Sequence, residues 1–155
     1  MRAFLVPLVL LLALPLGGCQ TMKDSADLVL ETAQLEQPTD TLTGKQQFRE
    51  GNFGLAEEAF RRAVERDPGD AEAWLGLGAT HDQLRRFDLA DRDYAQVARL
   101  AGTSAALLNN RGYSYLMRGN FAKARVDLAA ARRLDPDNAD IEGNLAAAVK
   151  GRRPE

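Results

Sequence analysis

Few residues in this chain can do covalent or acid–base chemistry. Its 155 residues include one Cys and one His, which excludes an internal disulfide and a Cys/His zinc centre. His81 is followed directly by Asp82. Adjacent residues on a helix point in different directions, and no Ser, Cys or second His joins them into a nucleophile–base pair. His81 therefore reads as a packing or groove-rim residue, and the chain as one that is not an enzyme and needs no metal. Lys and Arg number 20 against 22 Asp and Glu, a formal net charge of −2. That balance holds no basic excess for nucleic acid.

The single Cys is more informative. Cys19 follows Arg2 and a fourteen-residue apolar run, Ala3 to Leu16. A helix of that length spans roughly 21 Å, short of a hydrocarbon core of about 30 Å, so the run is no transmembrane anchor. It ends in Leu16-Gly17-Gly18-Cys19, small residues of the kind an export peptidase accepts. This arrangement resembles the lipobox of bacterial lipoproteins. The resemblance implies a signal peptide over 1–18 and acylation of Cys19, which becomes the mature N-terminus. It implies no cofactor beyond that covalent lipid. Acyl chains at roughly 0.8 kcal/mol per buried CH₂ anchor a protein without a spanning helix. Gln20 in place of Asp implies transfer to the outer membrane, with the chain on its periplasmic face. Residues 19–36 read as a polar tether, with a short helix expected over Asp27 to Leu35.

The elements behind this anchor repeat. Pro68 and Pro136 lie in near-identical contexts, AVERDPGDAEA and ARRLDPDNADI, at twice a 34-residue period. Laid out at that period, the chain forms three units, 37–70, 71–104 and 105–138. The eighth position reads Gly44, Gly78, Gly112, and the seventeenth Phe53, Phe87, Phe121. The twentieth reads Ala56, Ala90, Ala124, and the twenty-fourth Phe60, Tyr94, Leu128. Gly and Ala suit a close crossing of two helices, A and B, within each unit. The large residues fill the wedge to the next unit, and Pro ends helix B. The pattern predicts helices near 39–49, 53–66, 71–84, 87–100, 104–117 and 121–134. A seventh, near 138–150, would cap the array with Ile141, Leu145, Ala146 and Val149. With Trp74-x-x-Leu77-Gly78 in the middle unit, the chain resembles the tetratricopeptide repeat. The fold implied is all-α, a right-handed superhelix of three helix-turn-helix repeats with a capping helix and tail over 139–155.

Arg111 departs from the pattern, at a position where an apolar contact is usual. Either its stem packs while the guanidinium reaches solvent, the reading preferred here, or it pairs with Asp91 or Asp88 on the preceding helix B. The resemblance also implies a concave groove lined by the A helices, holding a protein partner through Leu75, Ala79, Asp82, Asn109, Asn110, Tyr113, Met117 and Asn144. Asn110 and Asn144 recur one unit apart, and carboxamides can pair with both donors and acceptors of an extended backbone. The Lys and Arg positions of the carboxylate-clamp subfamily are not matched.

The run Asn109 to Phe121, NNRGYSYLMRGNF, followed by Ala122-Lys123-Ala124-Arg125, is similar to the TadD lipoproteins of tight-adherence (Flp) pilus assembly. That similarity implies an outer-membrane adaptor whose partners are a secretin or other pilus-assembly components. The alternative is an envelope adaptor recruiting periplasmic peptidases or peptidoglycan hydrolases.

Overall fold

The structure, a computed structural model, describes residues 39–153. The expected signal peptide, Cys19, the tether and its short helix lie outside the described residues. Among the latter are seven helices and no strand: α1 (Asp40–Arg49), α2 (Phe53–Arg66), α3 (Ala71–Gln83), α4 (Phe87–Ala101), α5 (Ala105–Met117), α6 (Phe121–Leu134) and α7 (Ala139–Lys150). Odd-numbered helices take the A place of each unit and even-numbered ones the B place.

Local signals set the boundaries. Asp70, Ser104 and Asn138 start α3, α5 and α7 by accepting hydrogen bonds from backbone N–H groups of the first turn, which satisfies donors that have no partner within the helix. Helices α2 and α6 stop at Asp67 and Asp135, both outside helical backbone and directly ahead of a proline. The A-to-B turns pass through positive φ at Gly51, Arg85 and Gly119. Arg85 thus holds, with a full side chain, a conformation its two counterparts meet with Gly.

Packing follows the repeat. Phe60 gathers Ala56, Ala63, Ala73 and Leu77 into one cluster; Tyr94 gathers Ala90, Val97 and Leu107. Leu128 does the same with Leu116, Leu145 and Ala148. In each case the large helix-B residue joins its own unit to helix A of the next. The eighth-position glycines are required by that side chain. A Cβ on Gly44 would lie 2.7 Å from the Phe60 ring, one on Gly78 2.8 Å from Tyr94, and one on Gly112 2.6 Å from Leu128.

The seventh helix buries a different stripe from the one expected. Ile141, Leu145 and Ala148 face inward, at 1%, 8% and 0% exposure, whereas Val149 is 67% exposed and Ala146 is exposed too. At 100° per residue, 141, 145 and 148 fall within about 60° of one another, and 146 and 149 lie to the side.

Candidate functional site

The A helices share a concave face. Phe48 of α1, Ala79, Asp82 and Gln83 of α3, Asn109, Asn110 and Tyr113 of α5, and Asp140, Gly143 and Asn144 of α7 line a cavity of about 430 Å³. A smaller apolar hollow of about 200 Å³ adjoins it through Phe48 and Ala79, floored by Phe60 and Gly76, with Lys45 and Arg49 at its mouth. The groove therefore runs from an apolar, cation-rimmed end to a carboxamide-lined one.

Six of the eight expected groove residues line the larger cavity: Ala79, Asp82, Asn109, Asn110, Tyr113 and Asn144. The Asn144 amide donates to the Asn109 Oδ1 at 3.0 Å, and the Asn110 amide donates to the Ala106 carbonyl at 3.0 Å. Each of the three carboxamides keeps bonding capacity beyond these contacts: the Asn109 amide and the oxygens of Asn110 and Asn144. Leu75 and Met117 are not among the lining residues. Leu75 packs on the Tyr94 cluster instead, and Met117 is buried at 8% exposure. Asp82 touches the cavity, but both of its oxygens are already engaged. Its Oδ2 accepts from the Tyr94 hydroxyl at 2.7 Å and its Oδ1 from the Ser114 hydroxyl at 2.5 Å. Sequence reasoning missed Phe48 and Asp140. Phe48 stands at the twelfth position, which Asp82 occupies one unit on, so the period itself was the signal.

Comparison with known proteins decides the family. Models of the tetratricopeptide repeat match residues 42–105 and 105–138, together more than half of the chain. This chain is a tetratricopeptide-repeat protein. It is similar to the type IV pilus assembly protein PilF of Pseudomonas aeruginosa, 28% identical over 141 residues, which cover 89% of this chain and 56% of that protein. It is also 26% identical over 68 residues to protein bimA of Emericella nidulans, 44% of this chain and 8% of the other. The chain thus spans about half the length of PilF and a small fraction of bimA. Among solved structures, the first tetratricopeptide domain of human RPAP3 matches with TM-score 0.67 at 17% identity, over 73% of this chain and 89% of that one. PcrH, solved in complex with the chaperone-binding region of PopD, matches with TM-score 0.56 at 21% identity, over 88% and 92%. These likenesses show the fold.

Beneath the groove, this tetratricopeptide array carries buried polar groups that are fully engaged. The His81 Nδ1 lies 2.6 Å from Asp93 Oδ2 of α4, and its Nε2 3.5 Å from Glu57 Oε1 of α2. Both ring nitrogens face carboxylates, and the Ser114 hydroxyl is spent on Asp82, so neither makes a nucleophile–base pair with the other. Glu57 also accepts from Arg86 at 2.6 and 2.7 Å. Burial pushes the Asp93 carboxyl above its usual range, against the opposing pull of His81. Burial likewise raises Asp82, opposed by the Ser114 and Tyr94 hydroxyls, and raises the Tyr94 phenol well above its ordinary value. Arg118 closes the set: it grips Asp91 through two bonds of 2.8 Å and lies 4.7 Å from the Tyr115 ring centroid.

Arg111 neither snorkels into solvent nor reaches the preceding helix B. Its Nε donates to Asp127 Oδ2 at 2.7 Å and its Nη2 to Oδ1 at 3.0 Å. Asp127 belongs to the helix B of its own unit, and Asp91 is held by Arg118. The two bonds to Asp127 raise the Arg111 pKa further.

Proposed function

We propose that this chain is a lipid-anchored adaptor of a pilus-assembly system, tethered through Cys19 to the periplasmic face of the outer membrane, that holds an extended segment of a partner protein in its concave groove. The observation that carries the reading is the groove. Four A-helix carboxamides, Gln83, Asn109, Asn110 and Asn144, line one cavity, and the three asparagines keep unused donors or acceptors, which suits main-chain recognition of an extended peptide. The apolar hollow beside them suits one large side chain of that peptide.

Similarity to PilF, named for type IV pilus assembly, supports the pilus context. That similarity covers 89% of this chain, more than residues 39–153 contain, so it extends into the N-terminal part as well. The TadD-like run over 109–125 and the lipobox support the narrower reading of a tight-adherence adaptor serving a secretin or its partners.

Crosslinking followed by pull-down of the full-length protein from its own envelope tests the assignment. Recovery of secretin or pilus-assembly components is the expected result. Recovery of peptidases or peptidoglycan hydrolases in their place would overturn it in favour of the alternative adaptor. Cys19→Ser should release the protein from the membrane fraction. The combined variant Asn109→Ala, Asn110→Ala, Asn144→Ala should lose partner capture with unchanged helicity; unchanged capture would move the site elsewhere.

A further inference from the structure

A second surface lies at the C-terminal side of the array, between α6 and α7. In each of the three complete units, the eighth position of helix A is covered by the twenty-fourth residue of the same unit's helix B: Gly44 by Phe60, Gly78 by Tyr94, Gly112 by Leu128. Helix α7 continues this register one period on. Ala139 stands at its first position, Ala146 at its eighth and Val149 at its eleventh. In the middle unit the eleventh residue is His81, 6% exposed and enclosed between α2 and α4. Val149, its counterpart, is 67% exposed. Ala146 is exposed as well. Among the described residues nothing takes the helix-B place of this fourth unit.

What lies open there is a shaped groove. It holds about 470 Å³ and is walled by Ala129 of α6 and by Leu145, Ala146 and Val149 of α7. Its rim is cationic. Arg125 and Arg132 stand on one side and Lys150 on the other, against a single carboxylate, Glu142, which lies 3.6 Å from Arg132. The bias extends beyond the rim: residues 111–155 hold nine basic and six acidic side chains, whereas 19–110 hold ten and sixteen.

We propose that this groove seats an amphipathic helix of a partner protein, which completes the fourth repeat by laying a large apolar side chain over Ala146 and Val149 and carboxylates along Arg125, Arg132 and Lys150. The register supplies the shape, because the array fills the same place three times with a helix carrying one bulky residue above a small one. The rim supplies the charge. A helix like α6 itself, with Lys123, Arg125, Arg132 and Arg133 against Asp127, is repelled there, so the seat selects acidic helices over copies of its own last B helix. This surface is separate from the concave groove and does not depend on what that groove holds.

The test uses the full-length protein in detergent and a labelled helical peptide. The peptide carries the α6 sequence 121–134 with Lys123→Glu, Arg125→Glu, Arg132→Glu and Arg133→Glu, which keeps its apolar stripe and reverses its charge. It should bind saturably, weaken with added salt, and bind about tenfold more weakly to Ala146→Glu or Val149→Glu protein. Both positions are exposed, so melting curves of these variants should match the parent. The same charge added at the exposed Ala106 should leave binding unaltered, and the peptide with its native basic residues should bind about tenfold more weakly. Three results overturn the proposal. One is no binding of the acidic peptide, and another is equal binding to Ala146→Glu protein. The third is concentration-dependent dimerisation abolished by Ala146→Glu, which would assign the seat to a second copy.

Discussion

Phe60 is held between two glycines of different helices. Its ring would meet a Cβ on Gly44 at 2.7 Å and one on Gly76 at 2.3 Å, and it is itself 1% exposed. Gly44 was legible in the sequence because it recurs at a fixed period. Gly76 was not: its counterparts are Leu42, Asn110 and Asn144, so it passed for a bare groove position. Its real constraint comes from a ring sixteen residues earlier. Gly76→Ala should therefore destabilise the fold by about 1–3 kcal/mol despite its better helix propensity, because the ring must leave its place against Gly44 and shift towards the adjoining hollow. Urea unfolding measures this, and a neutral or stabilising result would show that Phe60 can shift without cost. Arg85 presents the opposite case. It holds φ at 59° where Gly51 and Gly119 serve the other turns, and it returns only a long bond of 3.4 Å to the Met117 carbonyl and a 5.9 Å approach to the Phe87 ring. Arg85→Gly should raise stability by about 0.5–1 kcal/mol, the relief of left-handed strain outweighing the added freedom of the unfolded chain. A lower melting temperature would mean that those two weak contacts outweigh the strain.

At the scale of elements, the seven described helices and their order were written in the 34-residue period, whereas the faces of individual helices were not. The expected stripe on α7 mixed inward residues with outward ones because apolar type does not separate Val149 from Ala148. Only the angular position does. Arg111 shows a second limit. Sequence offered Asp91 and Asp88 on the preceding helix B as partners, but the bonds run to Asp127 on the neighbouring helix of the same unit. The earlier units put Ala59 and Asp93 at the Asp127 position, and Thr43 and Leu77 at the Arg111 position. The array thus already contains versions of this α5–α6 contact without the ion pair. Arg111→Leu alone should cost about 2–3 kcal/mol, because it leaves a carboxylate of 9% exposure without its cation. Arg111→Leu with Asp127→Ala should recover most of that loss. A double-variant cycle in urea gives the coupling directly, and strictly additive losses would contradict the assigned pair.

The whole molecule is tied across its repeats by polar groups that no periodic reading could place. Glu57 of the first unit meets His81 of the second, and Asp82 of the second meets Ser114 of the third. His81 and Asp82, adjacent in sequence, thus serve two different inter-unit contacts. A linear array is a sum of units and interfaces, so its cooperativity depends on such links. They also give its stability a definite pH dependence. Burial raises the folded-state pKa of Asp82 above its ordinary 3.8, so across that window the folded chain binds more protons than the unfolded one. Its contribution to stability is then fully present below pH 3.8 and is lost as pH rises through the raised folded value. Asp82→Asn removes this titration. The stability difference between parent and variant should shift against the parent as pH rises through the window and level off above it. A difference that stays flat, or shifts towards the parent, would show that the Tyr94 and Ser114 hydroxyls outweigh burial. Ser114→Ala removes one of the two bonds and, with it, the buried polar tie between the second and third units, leaving the outer Arg118–Asp91 pair in place. It should lower the urea m-value, or split the transition, as the third unit and α7 begin to unfold apart from the first two. A single transition of unchanged slope would place the cooperativity in the apolar clusters around Tyr94 and Leu107.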